Sequence, residues 1–144
     1  MLKGLDPLLS PDLLHVLRAM GHGDEIVVAD ANFPAASMAR RLLRLDGVSA
    51  VAVVDAILSV MPLDDFAPEA AWRMEVVGNA QAEQPIFAEF RRMIAAREGE
   101  RFRLAALERF AFYEQATAAF AIVATGEGRL YGNLILKKGV VRPE

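Results

Sequence analysis

The sequence predicts one α/β domain built as three layers (α/β/α), with a mixed central sheet covered by helices on both faces and closed by a C-terminal hairpin. Three observations lead there. Segments with helical spacing alternate with short strand-like runs from Ser10 to Leu136, no linker, repeat or low-complexity tract interrupts them, and a glycine-flanked turn at Gly126 to Gly128 precedes the last strand pattern. With 144 residues, 54% of them apolar, the chain is long enough for a single core, so residues 1–144 read as one domain.

Ser10 places a capping hydroxyl ahead of Pro11, and Leu13, Leu14, Leu17 and Met20 recur at helical spacing up to a glycine stop at Gly21. Glu25 to Asp30 is rich in branched side chains and reads as a buried strand. Ala31 to Pro34 reads as a loop, because Pro34 biases Phe33 away from the helical region. Arg40 to Leu45 fits helix or strand equally. Ser49 caps a helix reaching Met61, where Pro62 follows as a stop. In Ala70 to Val77 the apolar Trp72, Met74 and Val76 alternate with Arg73 and Glu75, as in a half-buried strand closed by Gly78 and Asn79. Pro85 opens a helix whose face is Ile86, Phe87, Phe90, Met93 and Ile94, ending in the charged stretch Arg97 to Arg101. A short strand at Phe102 to Ala105, a helix from Glu108 to Ala118, a strand from Ala119 to Ala124 and a last strand from Leu130 to Leu136 complete the order.

Composition narrows the function. No cysteine is present, so no disulfide, thiolate metal site or thiol nucleophile is available. A net charge of −3 and no basic cluster larger than Arg40 and Arg41 leave no electrostatic footprint for nucleic acid. Met1 to Ser10 lacks signal-peptide character and no apolar run approaches membrane-spanning length, so a cytoplasmic, non-membrane protein is expected. The apolar share is high for a monomer and points to a subunit interface. Small neutral ligands or protein partners remain.

Two histidines are present. His15 falls on the helix face opposite Leu13 and Leu17 and reads as solvated surface. His22 sits between two glycines, where little bulk blocks a ligand, and an imidazole exchanges protons near neutrality; the plainer reading is a residue trailing a helix C-cap. Asp30 ends a strand, where open α/β sheets bind ligands, although a turn aspartate accepting a backbone N–H is the commoner role. Arg109 stands among Phe110, Phe112 and Tyr113, with both phenylalanines read as core. Tyr131, Gly132 and Asn133 offer a phenol, a bare backbone and an amide in a row; alternatively Tyr131 packs its ring and Gly132 makes a bulge. Asp64 and Asp65 read as a solvated turn rather than a cation site. With no phosphate loop, zinc spacing or nucleophile elbow, neither a metal nor a cofactor is expected.

Gly21 to Glu25, Asp30 to Ala35, Glu108 to Glu114, Ala124 to Glu127 and Tyr131 to Gly139, in this order, resemble the family of L-fucose mutarotase and D-ribose pyranase over about Leu2 to Val140. The resemblance implies a proton-donating role for His22, sugar binding by Asp30, and substrate contacts from Tyr131 and Asn133, with Gly132 between them. It places Arg109 and Tyr113 in the fucose branch, and ring opening would then take its second proton relay from Tyr113, Tyr131 or a bound water. Asn32 stands where many bacterial relatives carry a second histidine and animal-type members carry asparagine. Asp64 matches an aspartate of the family pattern; because it follows a helix, it should lie at the sheet end opposite Asp30 and reach a site only across a subunit boundary. The resemblance also implies a ring-shaped homo-oligomer, a decamer, with sites at subunit interfaces. The resulting expectation is a cofactor-free sugar mutarotase working by acid/base ring opening, with a noncatalytic monosaccharide-binding or transport accessory protein as the alternative.

Overall fold

A computed structural model describes residues 1–144. The Ser10 hydroxyl accepts the Leu13 N–H at 3.2 Å and Pro11 occupies the first turn, which starts α1 (Pro11–Ala19) where the sequence places it. The strand after it, β1 (Glu25–Ala29), is buried along all but its first residue. Beyond it Pro34 leads into a four-residue helix, α2 (Ala35–Met38), too short to leave a periodic signal.

The ambiguous stretch resolves as an edge strand, β2 (Leu42–Leu45), its residues alternating between exposed and half-buried. Ser49 caps α3 (Ala50–Leu58) through the Ala52 N–H. Then follow β3 (Ala71–Met74), α4 (Pro85–Glu98), β4 (Ala105–Leu107), α5 (Arg109–Ala118), β5 (Ala121–Thr125) and β6 (Leu134–Lys137). The fourth strand lies two to three residues beyond its predicted place, and the sixth begins at Leu134 because Leu130 to Asn133 belong to the preceding loop.

The six strands form one sheet in the order β2-β5-β1-β6-β3-β4. β1 runs parallel to β5 and antiparallel to β6, β2 is parallel to β5, and β3 is antiparallel to β6 and parallel to β4. The sheet is therefore mixed, as expected, but the C-terminal hairpin is corrected: β5 and β6 flank β1 instead of pairing with each other. A tight turn would need two to five residues, whereas residues 126–133 cross the end of β1, fixed there by Gly126 N–H to Val48 O (2.8 Å) and Ala31 N–H to Glu127 O (2.9 Å). β1 thereby has a hydrogen-bonded neighbour on each side.

Two cores cover the sheet. Leu13, Val53, Ile57, Phe87 and Phe90 from α1, α3 and α4 pack on one face; Phe112 and Ala116 from α5, with Phe33 and Ala35, pack on the other. Full burial of each such leucine, isoleucine or phenylalanine contributes about 1.5–3 kcal/mol. The three-layer arrangement holds both ends of β1 rigidly, and both ends carry predicted site residues.

Candidate functional site: two half-sites at opposite ends of one strand

Asp30 follows the last residue of β1 and is buried. Its backbone N–H donates to Asn133 Oδ1 at 2.8 Å and its carboxylate accepts the Asn32 N–H at 2.9 Å. Burial raises the Asp30 pKa above the usual carboxylate value, against the lowering effect of hydrogen bonds from Asn32, Asn133, Phe33 and Gly132. Asn133, also buried, is thus fixed by the strand end it faces. Tyr131 is the one non-glycine residue with positive φ, at 61°. Its hydroxyl accepts the Val77 N–H at 3.1 Å, joining the loop after β3 to the loop before β6.

From the other core layer, α5 adds two groups one turn apart. Arg109 Nε donates to the Tyr113 hydroxyl at 3.2 Å, and the Tyr113 ring meets Phe33 edge-on with centroids 5.6 Å apart. Glu108 caps this helix by accepting the Phe110 and Ala111 N–H groups. Phe112 is core as expected, but Phe110 is not: it is 69% exposed, on the side of α5 facing away from the sheet.

These residues, with Asn32, enclose a cavity of about 230 Å³ whose polar lining is Asp30, Asn32, Arg109, Tyr113, Tyr131 and Asn133, and whose apolar lining includes Phe33, Met74, Val77 and Leu130. That lies below the roughly 300–1,000 Å³ of typical small-molecule sites, a size suited to a single small ring. Gly132 does not line it. A Cβ there would fall 2.8 Å from Glu127 Cγ and 3.1 Å from Ile86 Cδ1, so its role is close packing behind the lining. A wider cleft of about 460 Å³ opens on the other side of Asp30, but it includes no tyrosine, histidine or asparagine.

His22 is not here. It precedes β1, whose five residues alone span about 17 Å, so within one chain a full strand separates it from the Asp30 end. Its partner is Asp64, with Nε2 and Oδ1 2.9 Å apart. The carboxylate only accepts hydrogen bonds, so Nε2 carries the proton of this contact and Nδ1 is the ring nitrogen left for another partner. Asp64 is buried, while the imidazole is 44% exposed. Burial alone would raise the Asp64 pKa; hydrogen bonds from His22 and the Phe66 N–H, with the charges of His22 and Lys137, outweigh it and hold the carboxyl below its usual range. Asp64 lies at the sheet end opposite Asp30, as expected for a residue following a helix, but its burial corrects the reading of Asp64 and Asp65 as a solvated turn: the Asp64 carboxylate exchanges water for His22 and the Phe66 N–H. His15 is exposed on α1, also as expected.

Some residues escaped the sequence reading. Phe66 stands beside His22 with ring centroids 5.2 Å apart and is 66% exposed. Glu127 is buried and accepts the Ala50 N–H (3.3 Å) and Arg129 Nε (2.9 Å). Two flanking glycines, Gly126 and Gly128, were its only local signal. Val77 and Met74, read only as strand residues, form a wall of the cavity.

A family model described as the RbsD / FucU transport protein family matches residues 3–141. The chain belongs to that family. A fucose mutarotase of Bos taurus is 47% identical over 149 residues, covering 99% of this chain and 96% of the relative. Within the RbsD / FucU family, the crystal structure of the fucose mutarotase from Streptococcus pneumoniae in complex with L-fucose superposes with a TM-score of 0.91 at 47% identity, covering 98% of this chain and 100% of that one. Bacillus subtilis RbsD complexed with D-ribose covers 99% of this chain and 100% of its own with a TM-score of 0.74 at 23% identity, which shows a shared fold.

Proposed function

We propose that this member of the RbsD / FucU family is a sugar mutarotase interconverting the α and β anomers of L-fucose or a related monosaccharide. The observation that carries this reading is full-length similarity at 40–47% identity to fucose mutarotases, joined to a cavity that holds a carboxylate, a guanidinium, two phenols and two amides.

Anomer exchange requires a proton to leave the anomeric hydroxyl while the ring oxygen gains one; the hemiacetal then opens and recloses on its other face. His22 exchanges one of these protons and Tyr113, Tyr131 or a bound water the other. Asp30, Arg109 and Asn133 bind the remaining hydroxyls and keep the open chain from escaping. Pyranose–furanose exchange passes through the same open chain, so a pyranase activity is chemically adjacent to mutarotation. The chemistry needs no cofactor and no metal.

Because His22 and Asp64 lie at the far end of β1, the complete site forms between copies, with the His22–Asp64 pair of one copy closing the Asp30 cavity of another. The exposed Phe66 beside His22 and the exposed Val77, Phe110 and Leu130 near the cavity give each half-site an apolar rim for that contact. A ring-shaped homo-oligomer, a decamer, in the cytoplasm is the assembly and setting that complete this reading.

NMR exchange spectroscopy on equilibrated L-fucose, D-ribose and D-galactose tests it. The protein should accelerate exchange for fucose above the spontaneous rate, and His22→Ala should lose about 100- to 10,000-fold of that acceleration. A His22→Ala protein as fast as the parent overturns the mechanism. Sugar binding without any acceleration supports instead a noncatalytic binding protein, the reading favoured if a single copy, with its cavity far from its imidazole, is the working unit.

A further inference from the structure

We propose that Lys138 is the positioning residue for the catalytic imidazole, holding His22 against Asp64 from the end of β6. This rests on the mutarotase reading above for its kinetic consequence, but its geometric basis is independent of it.

The turn carrying His22 hangs between the end of α1 and the start of β1, and Lys138 grips it from both directions. Its Nζ donates to the carbonyls of Leu17 (2.7 Å), in the last turn of α1, and Met20 (2.5 Å), which caps α1 and immediately precedes Gly21. A helix end leaves such carbonyls without intrahelical partners, and a cation there also opposes the negative end of the helix dipole. The Lys138 backbone completes the grip: its N–H donates to Asp24 O and its carbonyl accepts the Gly23 N–H, both at 2.8 Å. One residue therefore holds Met20, Gly23 and Asp24, and the imidazole projects between these anchors.

The same stretch of chain places the partner carboxylate. The Asp64 N–H donates to Lys137 O at 3.0 Å, and the Gly139 N–H donates to Pro62 O at 2.8 Å. A Cβ at position 139 would lie 2.3 Å from Leu63 O, so only glycine admits the 62–64 strand so close. His22 and Asp64, 42 residues apart, are thus brought to 2.9 Å by residues 137–139 acting on both. Lys138 is half-buried, and desolvation lowers its pKa from the usual lysine value, with Arg18 lowering it further and Asp24 opposing. A purely solubilising lysine would not give up water for two backbone carbonyls. The cavity lining at the far end of β1 includes none of these residues, so the effect should fall on proton transfer rather than on sugar binding.

Lys138→Met keeps the aliphatic stem and removes the three donors. In the intact assembly it should lower kcat for anomer exchange roughly ten- to hundred-fold, the scale on which small displacements of reacting groups act, while KM stays at the parent value. Lys138→Gln, which retains a donor at shorter reach, should recover part of kcat and serves if the methionine variant does not fold. The second readout is the ¹⁵N spectrum of the two imidazoles, with exposed His15 as internal reference. In the parent, His22 Nε2 should show the signature of a protonated nitrogen donating to a carboxylate; in Lys138→Met it should move toward His15. If the parent shows no exchange activity, the mutarotase reading fails, yet the imidazole spectra still decide the role of Lys138. Unchanged kcat, a rise confined to KM, unaltered His22 resonances in a folded variant, or failure of both variants to fold would each overturn it.

Discussion

His22 and Asp64 gain their chemistry from unequal exposure. A buried carboxylate satisfied by two donors fixes which ring nitrogen faces it, while the imidazole itself stays 44% exposed. Because the Asp64 pKa is held below its unfolded value, the pairing stabilises the fold above the ordinary carboxylate range and is lost as pH falls through the depressed folded pKa. The expected outcome is that Asp64→Asn melts at lower temperature than the parent at neutral pH and that this gap narrows as the pH is lowered through 4 to 3, about where carboxylates protonate. A gap that stays constant across melting curves at pH 7, 5 and 3 contradicts the assignment. At this scale the sequence was informative about identity but not about place. The glycines around His22 signal access, and Asp30 is where a strand-end ligand would sit, yet their short separation in the chain hides a full strand between them.

Among the elements, the connection over residues 126–133 departs furthest from what the sequence suggests. Gly126 to Gly128 look like a local hairpin turn, since short-range patterns report how a chain reverses but not which strand it will lie beside. The structure uses this stretch as a bracket instead. Glu127 takes the Ala50 N–H at the start of α3, pairs with Arg129, which also reaches Glu89 of α4, and packs its Cγ against Gly132. Glu127→Ala leaves the buried Ala50 N–H without its partner and the Arg129 guanidinium half-satisfied, a cost of about 1–3 kcal/mol that urea unfolding should register. Gly132→Ala forces a methyl against that fixed carboxylate stem; a loss of about 1–3 kcal/mol and a raised KM for sugar are expected, because Tyr131 and Asn133 flank it. The alternation of helices and strands, both capping serines and the core faces of α1 and α4 were legible, because each is written in local spacing. The short α2 and the start of β6 were not, because the first holds too few residues for a period and the second is set by a loop pinned from elsewhere.

For the whole molecule, the decisive feature is that β1 separates the imidazole from the cavity it is proposed to serve. The apolar excess of the sequence already suggested contact between copies, and the exposed Phe66, Phe110 and Leu130 locate apolar rims at both ends. If copies share the work, an equimolar mixture of His22→Ala and Asp30→Asn proteins, each inactive alone, should recover measurable exchange after unfolding and reassembly together. Recovery of none, with mixed oligomers confirmed by mass spectrometry, would place the entire reaction within one chain.

A stiff rod with a tenon at one end and a mortise at the other has an arithmetic of its own. In an open row of such rods the first keeps an idle tenon and the last an empty mortise, so the yield per rod rises with the length of the row and reaches its ceiling only when the row bends round and meets itself. Turnover per subunit is then a gauge of how completely the assembly has closed.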